Sequence, residues 1–317
     1  MNEPSSVCFA DAVWQGSVEV EANEPIARDT FRVRLRCPEI ARRIVPGQFV
    51  MMRIAGLNDP LLARPLALYD TVLDDAVLDD SGAPVGIDVV YLVVGKMTGR
   101  LAELRPGRRL DLWGPLGNGF APHTSGRLVM VAGGIGQTPF MAQAREALGL
   151  RAYGREESGV RSQESGGEKR NSASLNPESR ILVPAPLLLY GARTKAYLAG
   201  VDDFERLGVE VRVSTDDGTA GHHGFVTDLL SEQLRAAKDR KTLRVVCCGP
   251  EPMMHAVAKM TAQAGVRCEV SLETPMACGV GICFTCVAKV RQADGRWDYR
   301  RTCVEGPVFD AAQIVFD

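Results

Sequence analysis

Leu128-Val-Met-Val-Ala132-Gly133-Gly134-Ile-Gly136-Gln-Thr138-Pro139 reads as an apolar strand that turns through three glycines into a helix-forming stretch, Phe140-Met-Ala-Gln-Ala-Arg-Glu-Ala-Leu148. Thr138 is suited to cap that helix and Pro139 to take its first position. Glycines at such a turn let the backbone approach a diphosphate, and the helix N-terminus offers unpaired N–H groups to its charge. The turn is not the G-x-G-x-x-G fingerprint, so taken alone Gly133, Gly134 and Gly136 fit either a nucleotide loop or a plain tight turn. The strand–helix rhythm that starts here continues through Leu187-Leu-Leu-Tyr190, Val209 to Ser214 with a helix from Val226 to Lys238, Leu243 to Cys248 with a helix from Pro252 to Ala264, and Cys268-Glu-Val-Ser-Leu272. Apolar strands alternating with helices predict a parallel sheet covered on both faces, with a nucleotide at the carboxyl ends of its strands.

Cys247-Cys248-Gly249-Pro250 ends one of these strands in a second turn, which puts Cys248 in the same cleft as Gly134. A core thiol and a functional thiol both fit that position. Asp216 and Asp217 follow the third strand, where carboxylates disfavour a 2′-phosphate, while Arg193 after the second would welcome one; the residues favour NAD over NADP.

Upstream the rhythm is different. Ser17-Val-Glu-Val, Thr30 to Leu35, Gln48 to Ile54 and Asp88 to Val94 are short β segments separated by Pro or Gly turns, which predicts a small antiparallel barrel. Arg64-Pro65-Leu66-Ala67-Leu68-Tyr69 lies in this half; its arginine is either a solvated surface charge or a bidentate partner for a cofactor diphosphate. Gly95-Lys96-Met97-Thr98-Gly99 and Gly114-Pro-Leu-Gly-Asn-Gly119 are glycine-rich turns expected to close over the same cofactor.

Downstream, Cys278, Cys283, Cys286 and Cys303 follow the spacing C-x4-C-x2-C-x16-C. One x4 gap, one x2 gap and a distant fourth thiolate is plant-type [2Fe–2S] spacing, whereas structural zinc takes its sulfurs as two separated knuckles. The pattern predicts electron transfer.

Length and composition agree with a two-domain protein carrying a small appendage: 317 residues, 45% hydrophobic and 24% charged. A net charge of −2 provides no basic face for nucleic acid or anionic membrane, and no stretch reaches 18 uninterrupted apolar residues. No export signal precedes the nine cysteines, so they are read as reduced thiols in a cytoplasmic protein. Residues 151–179, rich in Ser, Glu, Gly and Arg, cannot bury enough apolar area to offset their ordering and are expected to be a disordered insertion. His123, His222, His223 and His255 show no ligand spacing, and no Gly-x-Ser-x-Gly supports a hydrolase. The predicted organisation is a multi-domain α and β chain: an antiparallel β-barrel for a diphosphate-bearing cofactor at 13–122, a nucleotide-binding parallel α/β domain at 123–272 and a small C-terminal [2Fe–2S] domain at 273–317.

Taken together and in this order, Arg64-Pro65, Gly114 to Phe120, Gly133 to Gly136, Tyr190-Gly-Ala-Arg193, Asp216-Asp-Gly218, Cys248-Gly-Pro250 and the cysteine run resemble the ferredoxin–NADP reductase superfamily. Within it the resemblance is to electron-transfer subunits of NAD-dependent dihydroorotate dehydrogenases. It implies that Arg64 holds the FAD diphosphate, that Leu66 to Leu68 run beside the isoalloxazine and that Thr98 contacts phosphate. It implies too that Gly133 to Thr138 and Cys248-Gly249-Pro250 bind NAD, and that the four cysteines carry a cluster between FAD and the FMN of a catalytic partner subunit, two copies of each. Where the superfamily has an aromatic and then Ser or Thr, this chain has Leu66 and Ala67, and Pro275 stands where an arginine is frequent. The same fold serving ferredoxin, sulfite reductase or a hydrogenase is the alternative, and a redox-sensing binding protein a more distant one.

Overall fold

The structure is a computed structural model that describes residues 13–74, 82–154 and 184–316. The barrel half comprises β1 (Trp14–Ala27), β2 (Thr30–Arg36), α1 (Pro38–Ala41), β3 (Phe49–Ile54), β4 (Arg64–Ala67), β5 (Asp70–Leu73), β6 (Pro84–Leu92), α2 (Lys96–Ala102) and β7 (Arg109–Leu116). Its seven strands form one antiparallel sheet in the order β4-β3-β7-β1-β2-β6-β5. Alternation explains the curl: Val18 and Val20, Val33 and Leu35, Val50 and Met52, Ile87 and Val89, and Leu110 and Leu112 all point into one core. A single extended segment joins the two borders, because Leu68 N donates to Gln48 O at 3.0 Å and the next amide, Tyr69 N, donates to Asp88 O at 2.9 Å.

The second half comprises β8 (Arg127–Gly133), α3 (Phe140–Ala147), β9 (Leu187–Ala192), α4 (Val201–Arg206), β10 (Glu210–Thr215), β11 (His222–His223), α5 (Val226–Ala236), β12 (Leu243–Cys248), α6 (Glu251–Ala264), β13 (Arg267–Ser271), β14 (Val287–Arg291), β15 (Trp297–Arg301) and β16 (Val308–Asp310). The sheet order is β11-β10-β9-β8-β12-β13-β16, parallel throughout except that β16 runs antiparallel to β13. Along β8, Leu128, Met130 and Ala132 face the group containing Phe140, Met141 and Phe204, while Val129 and Val131 face Leu229, Leu230 and Val257. Helices therefore cover both faces, as the apolar runs predict. β14 and β15 form a separate hairpin.

The two halves are bolted together at β5. The buried Asp70 carboxylate meets Arg145 Nε at 2.6 Å, Arg151 Nη1 at 3.3 Å and the Tyr153 hydroxyl at 2.7 Å. Beside it the Tyr69 hydroxyl donates to Asp203 Oδ2 at 3.0 Å, which Arg32 also reaches at 3.3 Å. Removing one partner from a buried ionic group of this kind costs about 3–5 kcal/mol, because it strands the others away from water. Arg151 to Gly154, assigned from sequence to the disordered insertion, are packed on the barrel for this reason; the rest of that expectation lies at residues outside the described ones. Among the described residues no helix is long and apolar enough to cross a membrane.

Candidate functional site

At the carboxyl ends of the parallel strands the turn after β8 and the turn after β12 pack backbone against backbone. A Cβ on Gly136 would stand 2.2 Å from the Cys248 carbonyl oxygen, so only glycine permits the approach. Gly133 lies against Pro250 and Met253, and Gly249 against Gly133. The structure thus gathers Gly133, Gly134, Gly136, Cys248, Gly249 and Pro250 in one place. Burial, with the Glu273 charge added, pushes the Cys248 thiol up to about 12, opposed by a hydrogen bond with Ser271. A thiol held up in this way stays protonated, which disfavours a nucleophilic role for Cys248.

Thr138 differs from expectation. The chain is already helical in the 3-10 turn Gly134–Gln137, Thr138 continues it with φ −58° and ψ −41°, and its side chain caps nothing. The cap of α3 comes from the barrel instead: Ala142 N donates to Tyr69 O at 3.0 Å.

On the barrel, Arg64 opens β4. One of its nitrogens, Nη1, donates to the carbonyls of Leu62 (3.0 Å) and Ala63 (3.1 Å), and among the described residues no carboxylate forms a salt bridge with its guanidinium. A cation held in place with no protein anion suits a diphosphate. Pro65, Leu66 and Ala67 are half-buried, with Leu66 packed against the barrel core, whereas Leu68 is fully buried in that core. Thr98 is 6% exposed, and its hydroxyl accepts from Val94 N and Gly95 N at 3.0 and 3.2 Å. That hydroxyl is occupied in capping α2, so the backbone amides of the same turn are the groups left to meet a phosphate. Lys96 pairs with Asp59, and Arg100 donates to Asp59 O, which ties α2 to the loop ahead of Arg64.

The cysteines lie on the outer face of the barrel. Cys286 and Cys303 are buried with Phe49, Met51, Ala63, Leu116 and Met276, Cys278 is half-buried and Cys283 exposed. Thr302 ties Cys303 to Cys286, its N and Oγ1 both donating to Cys286 O at 2.7 and 3.0 Å. Val280 N donates to Cys278 Sγ at 3.4 Å and Thr285 Oγ1 to Cys283 Sγ at 3.2 Å. The Thr285 hydroxyl and amide hold the Cys283 thiol down to about 6, while burial and the adjacent Cys286 push Cys303 up to about 12. Cys283 interacts with Cys278, and Cys303 with both Cys286 and Cys278. Amide and hydroxyl donors aimed at sulfur suit the thiolates of an iron–sulfur cluster.

Two residues that sequence reasoning passed over hold this loop. Trp113 Nε1 donates to Cys278 O at 3.0 Å. Asn118 Nδ2 donates to Glu305 O at 3.2 Å and Val308 O at 2.8 Å, and its Oδ1 accepts from Val308 N at 2.9 Å. The Gly114 to Gly119 turn, expected to close over a cofactor, therefore grips the tail that follows Cys303. Its asparagine was the available signal, since a lone amide among glycines is suited to clasping a passing backbone.

Comparison with known proteins agrees with each part. Residues 17–120 match the oxidoreductase FAD-binding domain, and residues 273–315 match the iron-sulfur cluster binding domain of dihydroorotate dehydrogenase B. The structure of an NADH-dependent reduced ferredoxin-NADP oxidoreductase, described for flavin-based electron bifurcation, superposes with a TM-score of 0.71 at 27% identity, over 95% of this chain and 90% of that one. The dihydroorotate dehydrogenase B (NAD(+)) electron transfer subunit of Clostridium acetobutylicum is 33% identical over 273 residues, 86% of this chain and 87% of its own. That of Desulforamulus reducens is 32% identical over 293 residues, 92% of this chain and 95% of its own. At 32–33% identity over most of both chains, the chain belongs to the family of dihydroorotate dehydrogenase B electron transfer subunits.

Proposed function

We propose that this chain receives electrons from the FMN of a dihydroorotate dehydrogenase catalytic subunit and delivers them to NAD+. Cys278, Cys283, Cys286 and Cys303 hold the [2Fe–2S] cluster, Arg64 and the α2 turn hold the FAD diphosphate, and Gly133 to Thr138 with Cys248-Gly249-Pro250 hold the nicotinamide nucleotide. When bound, the cluster carries one electron at a time and the flavin converts that traffic to the two-electron step NAD+ requires. The residues bind, orient and exclude water; no acid–base dyad on this chain is needed. Leu66 and Ala67 carry no side-chain donor, so the hydrogen bond to the flavin falls to backbone amides of β4.

The observation that carries the reading is the packing of Cys286 and Cys303 in one apolar group with Ala63, the residue next to Arg64. Ala63 brings the cysteine group to the start of β4, one residue from Arg64, which supports a short route between cluster and flavin. We take the functional divisions as residues 13–122, 123–272 and 273–317, the assembly as two of each subunit, and the compartment as the cytoplasm, where thiols stay reduced for cluster assembly.

The test is dihydroorotate-dependent NAD+ reduction by the anaerobically purified chain mixed with the FMN-containing dehydrogenase from its own source. Activity requiring both proteins is the expected result. No activity, from protein whose flavin and cluster are both reduced by NADH, would refute the partner and favour a second reading, a reductase subunit for another redox protein.

A further inference from the structure

Met51 is the meeting point of three strands. It stands opposite Pro65 in the β3–β4 ladder and opposite Trp113 in the β3–β7 ladder. Residues directly opposite in an antiparallel ladder project to the same face, so Pro65, Met51 and Trp113 form a row across the outside of the barrel, from the flavin strand to β7. The cluster loop lies on that row. Gly279 has φ +74°, and a Cβ there would come 2.5 Å from Met51 Cγ. One residue earlier, the Cys278 carbonyl takes the Trp113 indole N–H at 3.0 Å. Met51 is fully buried, in the group that contains Cys286, Cys303 and Ala63.

We propose that Trp113 is a positioning residue for electron transfer within this chain, fixing the first cluster ligand in register with the flavin strand through its hydrogen bond to Cys278. The inference rests on the reading of the four cysteines as cluster ligands. Its physical basis is that a ligand's carbonyl, once held, fixes the direction of that ligand's Cα–Cβ bond and hence of its sulfur. Held from below by Met51 and from the side by Trp113, the loop has one seating on the barrel. Without the indole it samples several. Tunnelling falls exponentially with separation, so time spent in displaced seatings is lost to transfer even when both redox groups are intact. Trp113 stands on β7, two strands from Arg64 in the sheet order, so its effect should fall on the cluster loop.

The experiment is Trp113→Phe, which keeps the ring and removes the donor. Iron and FAD content and the rate of flavin reduction by NADH should match wild type. The reduced cluster should show shifted or broadened g-values in electron paramagnetic resonance, and its reduction by the flavin, followed by stopped flow, should slow about threefold or more, as loss of one buried hydrogen bond allows. Trp113→His, which retains a ring N–H, should recover part of both. Gly279→Ala, which drives a methyl into Met51, should displace the loop from its other side and move the same two readouts, so the proposal stays testable should Trp113→Phe lose iron on purification. Unchanged g-values together with an unchanged transfer rate in Trp113→Phe would overturn the positioning role alone. A wild-type protein lacking any [2Fe–2S] signal would overturn the cluster assignment and the proposal with it.

Discussion

Replacing Asn118 by alanine removes three hydrogen bonds, at 3.2, 2.8 and 2.9 Å, that fasten Glu305 and Val308 to the turn after β7. Each such bond contributes about 1 kcal/mol net, giving a nominal loss of ~3 kcal/mol. The side chain is half-buried, so water can reach part of the vacated space; we therefore expect about 2 kcal/mol, equivalent to a roughly 30-fold rise in local opening of the tail at 1.4 kcal/mol per tenfold. Hydrogen exchange followed by mass spectrometry reads this directly, because the Val308 amide is one of the three donors. Exchange in the peptide containing residues 305–310 should accelerate by about that factor while the core of β8 and β9 is unaffected, and chelator-induced bleaching of the cluster should accelerate with it. Asn118→Asp sharpens the test. It keeps the acceptor for Val308 N but turns a carboxylate oxygen toward the Glu305 and Val308 carbonyls, so it should be worse than alanine despite its matching shape. Unchanged Val308 protection in Asn118→Ala, or an aspartate variant as protected as wild type, would refute the argument.

Cys283→Ser should lose or alter the cluster and abolish transfer from the catalytic subunit, yet leave reduction of artificial dyes by NADH largely intact; retained dihydroorotate-dependent NAD+ reduction would sink the proposed route. Gly136→Ala forces a methyl to within 2.2 Å of the Cys248 carbonyl unless the backbone moves, so NADH-dependent flavin reduction should fall at least about tenfold with FAD and iron content unchanged. In iron-free protein Cys283 should alkylate first, because the thiolate is the nucleophile: labelling should rise with pH through about 6, and Cys303, held up to about 12 and buried, should stay unlabelled until the region unfolds. Peptide mapping that finds Cys303 modified before Cys283 would contradict that order.

Much of this molecule was legible locally. The x4 and x2 gaps, the change from two-residue to strand–helix rhythm at Arg127, and the glycines at positions 133, 134 and 136 are short-range patterns with short-range causes; the structure puts the change of rhythm at the start of β8 and the glycines at its carboxyl end. What escaped was long-range. Thr138-Pro139 has the local form of a helix start, but the turn before it is already wound and the cap is a barrel carbonyl 73 positions away, Tyr69 O for Ala142 N. The resemblance implies a phosphate contact for Thr98, but its hydroxyl, on the third residue of α2, is taken up in capping that helix. Arg151 and Tyr153 sit in a polar, Gly-rich stretch whose composition spoke for disorder, and nothing nearby in sequence announces that Asp70 receives them. Trp113 and Asn118 act on partners about 165 to 190 residues distant, a range at which pattern reading has no purchase.

The antiparallel pairing of β16 with β13 has a consequence for the life of the protein outside catalysis. Val308–Asp310 lies only a few residues beyond the last cysteine, yet it is the strand that finishes the nucleotide-binding sheet. Should the tail detach when iron is lost or thiols are oxidised, β13 becomes an open edge whose unpaired amides and carbonyls can template pairing with another chain. Oxidative damage at the metal centre would then surface as aggregation of an otherwise folded flavoprotein.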